Sequence, residues 1–454
     1  MIETIRNAWK VPELRRKLQF TVLALLIFRF GAAVPVPFID SDSLSAYLNA
    51  QTGTILGFIS AMSGSAFSLA TVFALSIQPY INASIIMQLL TVAIPALERL
   101  SKEGGEDGKK QIAKYTRYAT VAIASLQGFG FYTLVKTNGI LMTTTLNETW
   151  VAIVIVLTFV AGSAFLMWLG EQITEFGVGN GISIILFAGI ISGVPGGIST
   201  MVSGVTNWNT LQDPNVVANL SEDVIANLNL TALNPIFVPV ILIGMLALVV
   251  FIVFISNAER RLPVQYAKRM VGRKMYGGQS THIPMKVNMS GVMPIIFAQT
   301  IASLPATIGA FAGWTMESEG FGGSLMRTFD TTKLFYSVLY FVLIVFFSYF
   351  YATMQFNPIE VANNLKKNGG FIPGYRPGKP TADFISKVLN KITMFGALYL
   401  AVIALSPIIT GNIFGIGTLA IGGTSVIIVV GVALETVRAI EAQMLMRHYK
   451  GFLE

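Results

Sequence analysis

Ten predominantly apolar stretches recur along the chain, near residues 18–38, 71–94, 112–135, 151–170, 182–203, 236–256, 289–313, 335–356, 388–409 and 413–435. Each approaches the roughly 20 predominantly apolar residues that cross a bilayer as one helix. The polar intervals are not alike. Of the 31 Lys and Arg, 27 fall in 1–20, 95–118, 257–290, 357–391 and 436–454. Cytoplasmic loops of membrane proteins carry such an excess of Lys and Arg. Both termini and the large basic loops are therefore expected in the cytoplasm, which makes the span count even. The expected fold is an all-α membrane protein of ten transmembrane helices. The first apolar run leads straight into more spans, so no cleavable signal peptide is expected.

The stretch 54–96 breaks the pattern. Its 43 residues carry almost no charge, too long for one ordinary span and too short for two spans with a loop. The first span runs outward and the basic loop 95–118 lies inside, so 54–96 crosses once. The surplus, Gly57–Ala70, is rich in Gly, Ser, Met and Phe. It is expected to be a partial helix that enters without crossing, or else an amphipathic helix on the outer surface. Non-spanning backbone at membrane depth is tolerated only inside protein or beside a watery cavity. The first reading therefore implies a cavity open to the outside with this segment in it.

Five stretches precede the loop 204–235 and five follow it. An odd number gives the halves opposite topology, as inverted repeats require. The expected division is an N-terminal half 1–203, an exterior linker 204–235 and a C-terminal half 236–454. The second span of each half carries a similar pattern, Gln78-Pro79-Tyr80-Ile81-Asn82 and Met293-Pro294-Ile295-Ile296-Phe297. Proline kinks a helix, and amides and hydroxyls suit helix–helix contacts. Two broken, polar-flecked helices in matching positions point to a site between the halves.

Two cytoplasmic loops exceed what a connector needs. Residues 257–290 alternate in short runs around Gly272-Arg273-Lys274, which predicts a protruding hairpin. Residues 357–391 hold Gly369-Gly370-Phe371-Ile372-Pro373-Gly374-Tyr375-Arg376-Pro377-Gly378-Lys379, a Gly/Pro-punctuated loop with one Arg at its tip. Their cations either set topology or meet partners.

Composition narrows the chemistry. Charged residues are 12% of the chain, against about 25% in soluble domains. The net charge of +8 suits anionic lipid, nucleic acid or an acidic protein surface. With no Cys, disulfides, thiolate metal sites and Cys nucleophiles are excluded. His282 and His448 are the two histidines, both cytoplasmic. No span pairs Ser with His or holds two Asp, so an intramembrane hydrolase is not supported. No G-x-x-x-x-G-K-[ST] loop is present, and Gly177–Gly181 joins two membrane helices as a tight turn. No catalytic residue, metal or cofactor is expected. Arg29 is the one cation inside the first span, where Pro35 and Pro37 soon end the helix. An inverted-repeat secondary transporter is the alternative class, but such transporters carry midplane charge, and spans 2, 7 and most of 10 have none. A pore lined by Ile77, Ile81, Ile182, Ile296 and Ile428 would hold no ion and could seal by dewetting.

These residues closely resemble the SecY family, the central subunit of the bacterial Sec protein-conducting channel. The likeness runs nearly end to end. It includes Phe73-Ala74-Leu75 with Pro79-Tyr80-Ile81, Met167-Trp168-Leu169-Gly170-Glu171-Gln172-Ile173-Thr174-Glu175, Gly179-Asn180-Gly181-Ile182-Ser183-Ile184, Lys286-Val287-Asn288-Met289, Pro373-Gly374-Tyr375-Arg376-Pro377-Gly378 and Gly422-Gly423-Thr424-Ser425. The resemblance implies two inverted halves of five helices around an hourglass pore, with a re-entrant plug near 57–70 that includes Gly57, Phe58, Met62, Gly64 and Phe67. It implies a constriction of Ile77, Ile81, Ile182, Leu186, Ile296 and Ile428, with Leu186 where many relatives carry Ile. The implied lateral gate lies between spans 2–3 and 7–8 and includes Asn82, Gln88, Thr91, Asn288, Pro294 and Gln299. Arg260, Arg261, Lys268, Arg269 and Arg376 would dock the SecA motor and the ribosome. Further implied partners are SecE, SecG, signal sequences, nascent polypeptides and anionic lipids. The implied location is the bacterial cytoplasmic membrane, and the implied activity is passive, gated movement of unfolded polypeptides across it and release of membrane segments into it.

Overall fold

Each of the ten apolar stretches carries a helix in the computed structural model, which describes residues 2–50, 60, 63–64, 66–142, 146–213, 234–266, 269–271, 274–276, 280–289, 291–314, 318–331, 333–414 and 417–450. The helices of the first half are α1 (Ile2–Lys10), α2 (Pro12–Gly31), α3 (Ser41–Ala50), α4 (Gln78–Ala93), α5 (Pro95–Glu103), α6 (Gly105–Thr137), α7 (Glu148–Phe176) and α8 (Gly181–Gln212). Those of the second half are α9 (Phe237–Asn257), α10 (Met293–Phe311), α11 (Phe321–Thr328), α12 (Leu334–Gln355), α13 (Pro358–Lys367), α14 (Lys379–Phe414) and α15 (Gly417–Lys450). Among the described residues, seven helices are long and apolar enough to cross a membrane by themselves: α6, α7, α8, α9, α10, α12 and α14. The pair α4–α5, bent by 104°, makes an eighth if taken as one span. Helices α2 and α15 occupy the first and tenth stretches but fall outside that set. The first turns of α2 carry Glu13, Arg15, Arg16 and Lys17, which shortens its apolar length.

Two details differ from expectation. The second span does not begin at residue 71. Ala70 (φ 46°) and Ser76 (φ 51°) take left-handed backbone, which L residues rarely propagate, and residues 72–77 form turns. This stretch pairs with the chain after α2: Val36 N–H donates to the Ala70 carbonyl and Val72 N–H to the Val34 carbonyl, both at 2.9 Å. Of the expected partial helix 57–70, residues 63–64 and 66–70 also form turns, with Ser60 helical. Second, Pro79 and Pro294 do not kink their helices. Both lie in the first turn, after Ile77 and Val292 as N-caps. Proline suits that position because its missing N–H has no helical partner there anyway. The sharp bend falls instead at Ile94–Pro95, where Ile94 is extended (φ −107°, ψ 113°), as a residue before proline prefers.

Lipid offers helices no hydrophobic drive to associate, so close packing decides which helix sits inside. α10 is buried on nearly every side, whereas α9 is almost wholly exposed. One continuous apolar cluster runs from Phe28 on α2 through Phe131, Phe159, Ile296, Tyr340 and Tyr399 to Val432 on α15.

A second, smaller core lies in the two long basic loops. Strand β1 (Glu259–Tyr266) pairs antiparallel with β4 (Ser280–Lys286), from Glu259 opposite Lys286 to Gln265 opposite Ser280. Between them, β2 (Arg269–Val271) and β3 (Lys274–Tyr276) form the expected hairpin. Strand β5 (Gly370–Phe371), from the second loop, pairs with β1 at Gln265 and Tyr266. Leu262, Val264, Met285, Leu365, Ile372, Ile385 and Leu389 close a common core. The two loops are therefore one body.

A candidate channel, its seal and its gate

The six constriction candidates come from four helices. Ile77 caps α4, and Ile81 follows one turn later. Asn180 caps α8 by accepting from the N–H groups of Ile182 (3.1 Å) and Ser183 (3.4 Å). That cap fixes the start of the turn bearing Ile182 and Leu186. Ile296 lies in the first turn of α10, and Ile428 lies within α15. Ile77, Ile81, Leu186, Ile296 and Ile428 are each no more than 4% exposed; Ile182 is half-buried and packs on the same cluster. A methyl on Gly170 of α7 would touch Ile77 Cδ1 (3.3 Å), Ile182 Cγ1 (3.5 Å) and Ile185 Cδ1 (3.5 Å). Three isoleucines thus converge on α7. Ile185 was not legible as a partner from the sequence, where only its spacing of three from Ile182 hints at a shared face.

Of the plug candidates, Gly57, Phe58 and Met62 lie outside the described residues. Phe67 is fully buried and meets the Phe131 ring edge-on at 5.0 Å. Its N–H donates to Ser63 Oγ at 3.1 Å. Gly64 has φ +62°, and a Cβ there would collide with Ser192 Oγ and the Gly189 carbonyl of α8. This segment therefore rests directly on α8, and only glycine permits that approach.

The gate candidates sit on α4, α10 and the chain leading into α10. Gln88 on α4 accepts a hydrogen bond from the Tyr351 phenol of α12 and donates to Ser84 Oγ at 3.1 Å. Thr91 Oγ1 donates to the Gln88 carbonyl at 2.7 Å. Gln78 Nε2 donates to Thr300 Oγ1 of α10 at 3.4 Å. Tyr340 donates to Gln299 Oε1 at 3.4 Å. Pro294 opens α10, and Asn288 lies six residues before it. The Oδ1 atoms of Asn82 and Asn288 are buried without a partner. Gln78 and Thr300 belong to the polar-flecked patterns that pointed to a site between the halves, whereas Tyr340 and Tyr351 escaped the sequence reading; a polar group in an otherwise apolar span was their only signal. Among the described residues, the buried polar side chains are Ser, Thr, Asn and Gln, with no carboxylate or cation.

The docking candidates divide. Arg260 and Arg261 are exposed on β1, but Arg261 Nε is paired with Glu259 at 2.7 Å. Arg269 lies on β2, and Lys268 lies outside the described residues. Arg376 is exposed at its loop tip. The backbone beneath it is held by Thr381 Oγ1, which donates to the Arg376 carbonyl at 2.7 Å, and by Tyr375 stacked on Phe384 at 4.1 Å. Lys286, at the end of β4, has its ammonium pKa pushed down by burial and by nearby Arg438.

A family model described as SecY matches residues 71–437. The chain belongs to the SecY family. Curated relatives over the full length of both chains include the protein translocase subunit SecY of Streptomyces coelicolor, 42% identical over 464 residues. Others are those of Bacillus licheniformis, 42% over 460 residues, and Halalkalibacterium halodurans, 40% over 458 residues. A solved protein-conducting channel superposes with a TM-score of 0.61 at 17% identity, covering 95% of this chain and 92% of the other. A SecY structure described by its plug domain, said to stabilise the closed state and maintain a membrane seal, gives 0.60 at 16% identity over the same shares. The Sec61 channel of a canine ribosome–channel complex gives 0.59 at 15% identity, again over 95% and 92%. The SecY-family fold is thus a multi-pass helical membrane channel, and its activity is protein translocation.

Proposed function

We propose that this SecY-family channel passes unfolded secretory polypeptides through the ring of Ile77, Ile81, Ile182, Leu186, Ile296 and Ile428. Segments bound for the membrane would leave sideways between α4 and α10. The observation that carries this reading is the shared apolar cluster of those six side chains, with no buried carboxylate or cationic side chain among the described residues. Such a ring closes against water and ions while offering a passing chain no site that would trap it. The absence of buried charge among those residues also weighs against the transporter alternative.

The segment around Gly64 and Phe67 would act as the plug, displaced when a signal sequence intercalates at the gate. The single cytoplasmic body built from β1, β4, β5 and α13 would dock the ribosome and the SecA motor through Arg260, Arg261, Lys268, Arg269 and Arg376. SecE, SecG and anionic lipids complete the setting, in a bacterial cytoplasmic membrane with both termini inside. As a channel, the protein breaks no bond in its substrate; the work comes from its partners.

The test is a secretory chain stalled in transit and carrying one Cys, with single Cys placed at Ile81 or Ile428. The native chain has no Cys, so background is absent. Disulfides at these positions, and none at lipid-facing Leu246, are expected. Equal yields at all three positions would reject the pore.

A further inference from the structure

Residues 287–292, of which all but Ser290 are described, join the sheet of β1 and β4 to α10, and Val287, Gly291 and Val292 are gripped from three sides. Val287 N–H donates to the Ala258 carbonyl at the end of α9, at 3.0 Å. On α14, a Cβ on Gly396 would lie 2.6 Å from the Val287 carbonyl oxygen. On α15, a Cβ on Gly431 would collide with Val292 Cγ1. Gly291 turns at φ +64°, with Glu435 Oε1 2.5 Å from where its Cβ would stand. The strap therefore fits only because α14 and α15 present bare backbone to it.

Its far end is Val292, the N-cap of α10 and 2% exposed. Ile296 follows one turn later, and Gln299 and Thr300 after that. Any slide of the strap is passed to these residues, because a helix moves as a rigid unit. Beside the strap lies a cavity of about 440 Å³, lined by Asn288, Gly291, Val292, Gly431 and Glu435 among others. Asn288 leaves its Oδ1 buried and unpartnered here. There is room for a second strap position and an acceptor with something to gain from it.

We propose that Gly396 and Gly431 are positioning residues for the gate: they hold the Val287–Val292 strap in the register that keeps α10 against α4. The proposal rests on the gate reading above and adds the element that sets its resting position.

The test uses the full-length channel complex with Gln78→Cys and Thr300→Cys, whose native side chains hydrogen-bond across α4 and α10, and a short bifunctional thiol crosslinker. The unaltered background should crosslink at rest and lose the crosslink when a signal-bearing chain is added. Gly431→Ala should lower the resting closed-to-open ratio about tenfold, the size expected from overpacking one methyl. Val292→Ala, which removes the atom that is struck, should restore it. Gly396→Ala wedges the strap from the other side against a backbone oxygen, and should lower the yield without rescue by Val292→Ala. It also carries the test if Gly431→Ala fails to assemble. Gly244→Ala on α9, where a Cβ meets nothing within 4 Å, should change nothing. If the background crosslink ignores the signal-bearing chain, the gate reading itself falls. If that crosslink responds, but assembled Gly431→Ala and Gly396→Ala channels retain the background yield, the strap proposal is overturned.

Discussion

The Tyr351 phenol of α12 donates its hydrogen bond to Gln88 Oε1 of α4, across 263 positions of sequence. Tyr351 is otherwise held by rings, with the Phe297 centroid at 5.1 Å and Phe350 at 5.7 Å. With Gln78–Thr300, this bond ties α4 to α12 and α10 at two heights. Both bonds join neutral groups; in the proposed gate they would favour closure and still be weak enough for an entering apolar segment to replace.

Tyr351→Phe keeps the ring packing and removes the bond. A neutral hydrogen bond contributes about 0.5–1.5 kcal/mol, so the closed state should lose roughly two- to tenfold in population. Export of a reporter with a weakened signal should rise, while export of a normal precursor holds steady. If the weakened reporter stays excluded, the Gln88–Tyr351 bond does not guard the gate.

Ile81→Ser or Ile428→Ser wets the constriction without breaking its helix. Single-channel recordings in planar bilayers should show more ion leak, and translocation should persist because the ring contributes sealing and no binding chemistry. Loss of translocation with no leak would make these residues packing elements only.

Deleting 57–70 removes Phe67 from Phe131 and clears α8 of Gly64. The ladder bond from Val72 to Val34 lies outside the deletion, so the fold should survive. Leak should increase and signal requirements should relax. A deletion channel with unaltered conductance would rule out a sealing role.

Arg376 is exposed on a backbone pinned by Thr381, and a guanidinium there can make bidentate contacts with a carboxylate or phosphate. Arg376→Glu should abolish motor-driven export and leave resting conductance intact; Arg376→Lys should rescue only in part. On β1, Arg260→Glu should weaken ribosome binding more than Arg261→Glu, because Arg261 is already paired with Glu259. The deficit should shrink at high salt, since phosphate contacts release counterions. Protease protection provides the control: a changed topology would mean that these cations orient the chain and dock nothing.

The spans and their expected orientation were legible in the chain because both signals are local. A run of apolar residues long enough to cross a bilayer needs no partner to be recognised, and the cation bias of a loop needs only counting. The hairpin of β2 and β3 was legible for the same reason, from a turn flanked by alternating runs. Proline positions were legible, but their effect was not: Pro79 and Pro294 start helices, while Pro95 marks the bend.

Tertiary structure decided the rest, because it depends on which faces meet after the helices pack. α4 begins at Gln78 because the preceding residues pair with the chain after α2. β5 joins β1 across more than a hundred residues and turns two loops into one body. Gln88 finds Tyr351, and Gln78 finds Thr300, only once α4 lies against α10 and α12. The space for the strap exists only where Gly396 and Gly431 face it from separate helices. The length of an apolar run determines that a segment enters the membrane; close packing between backbones determines what it is buried against.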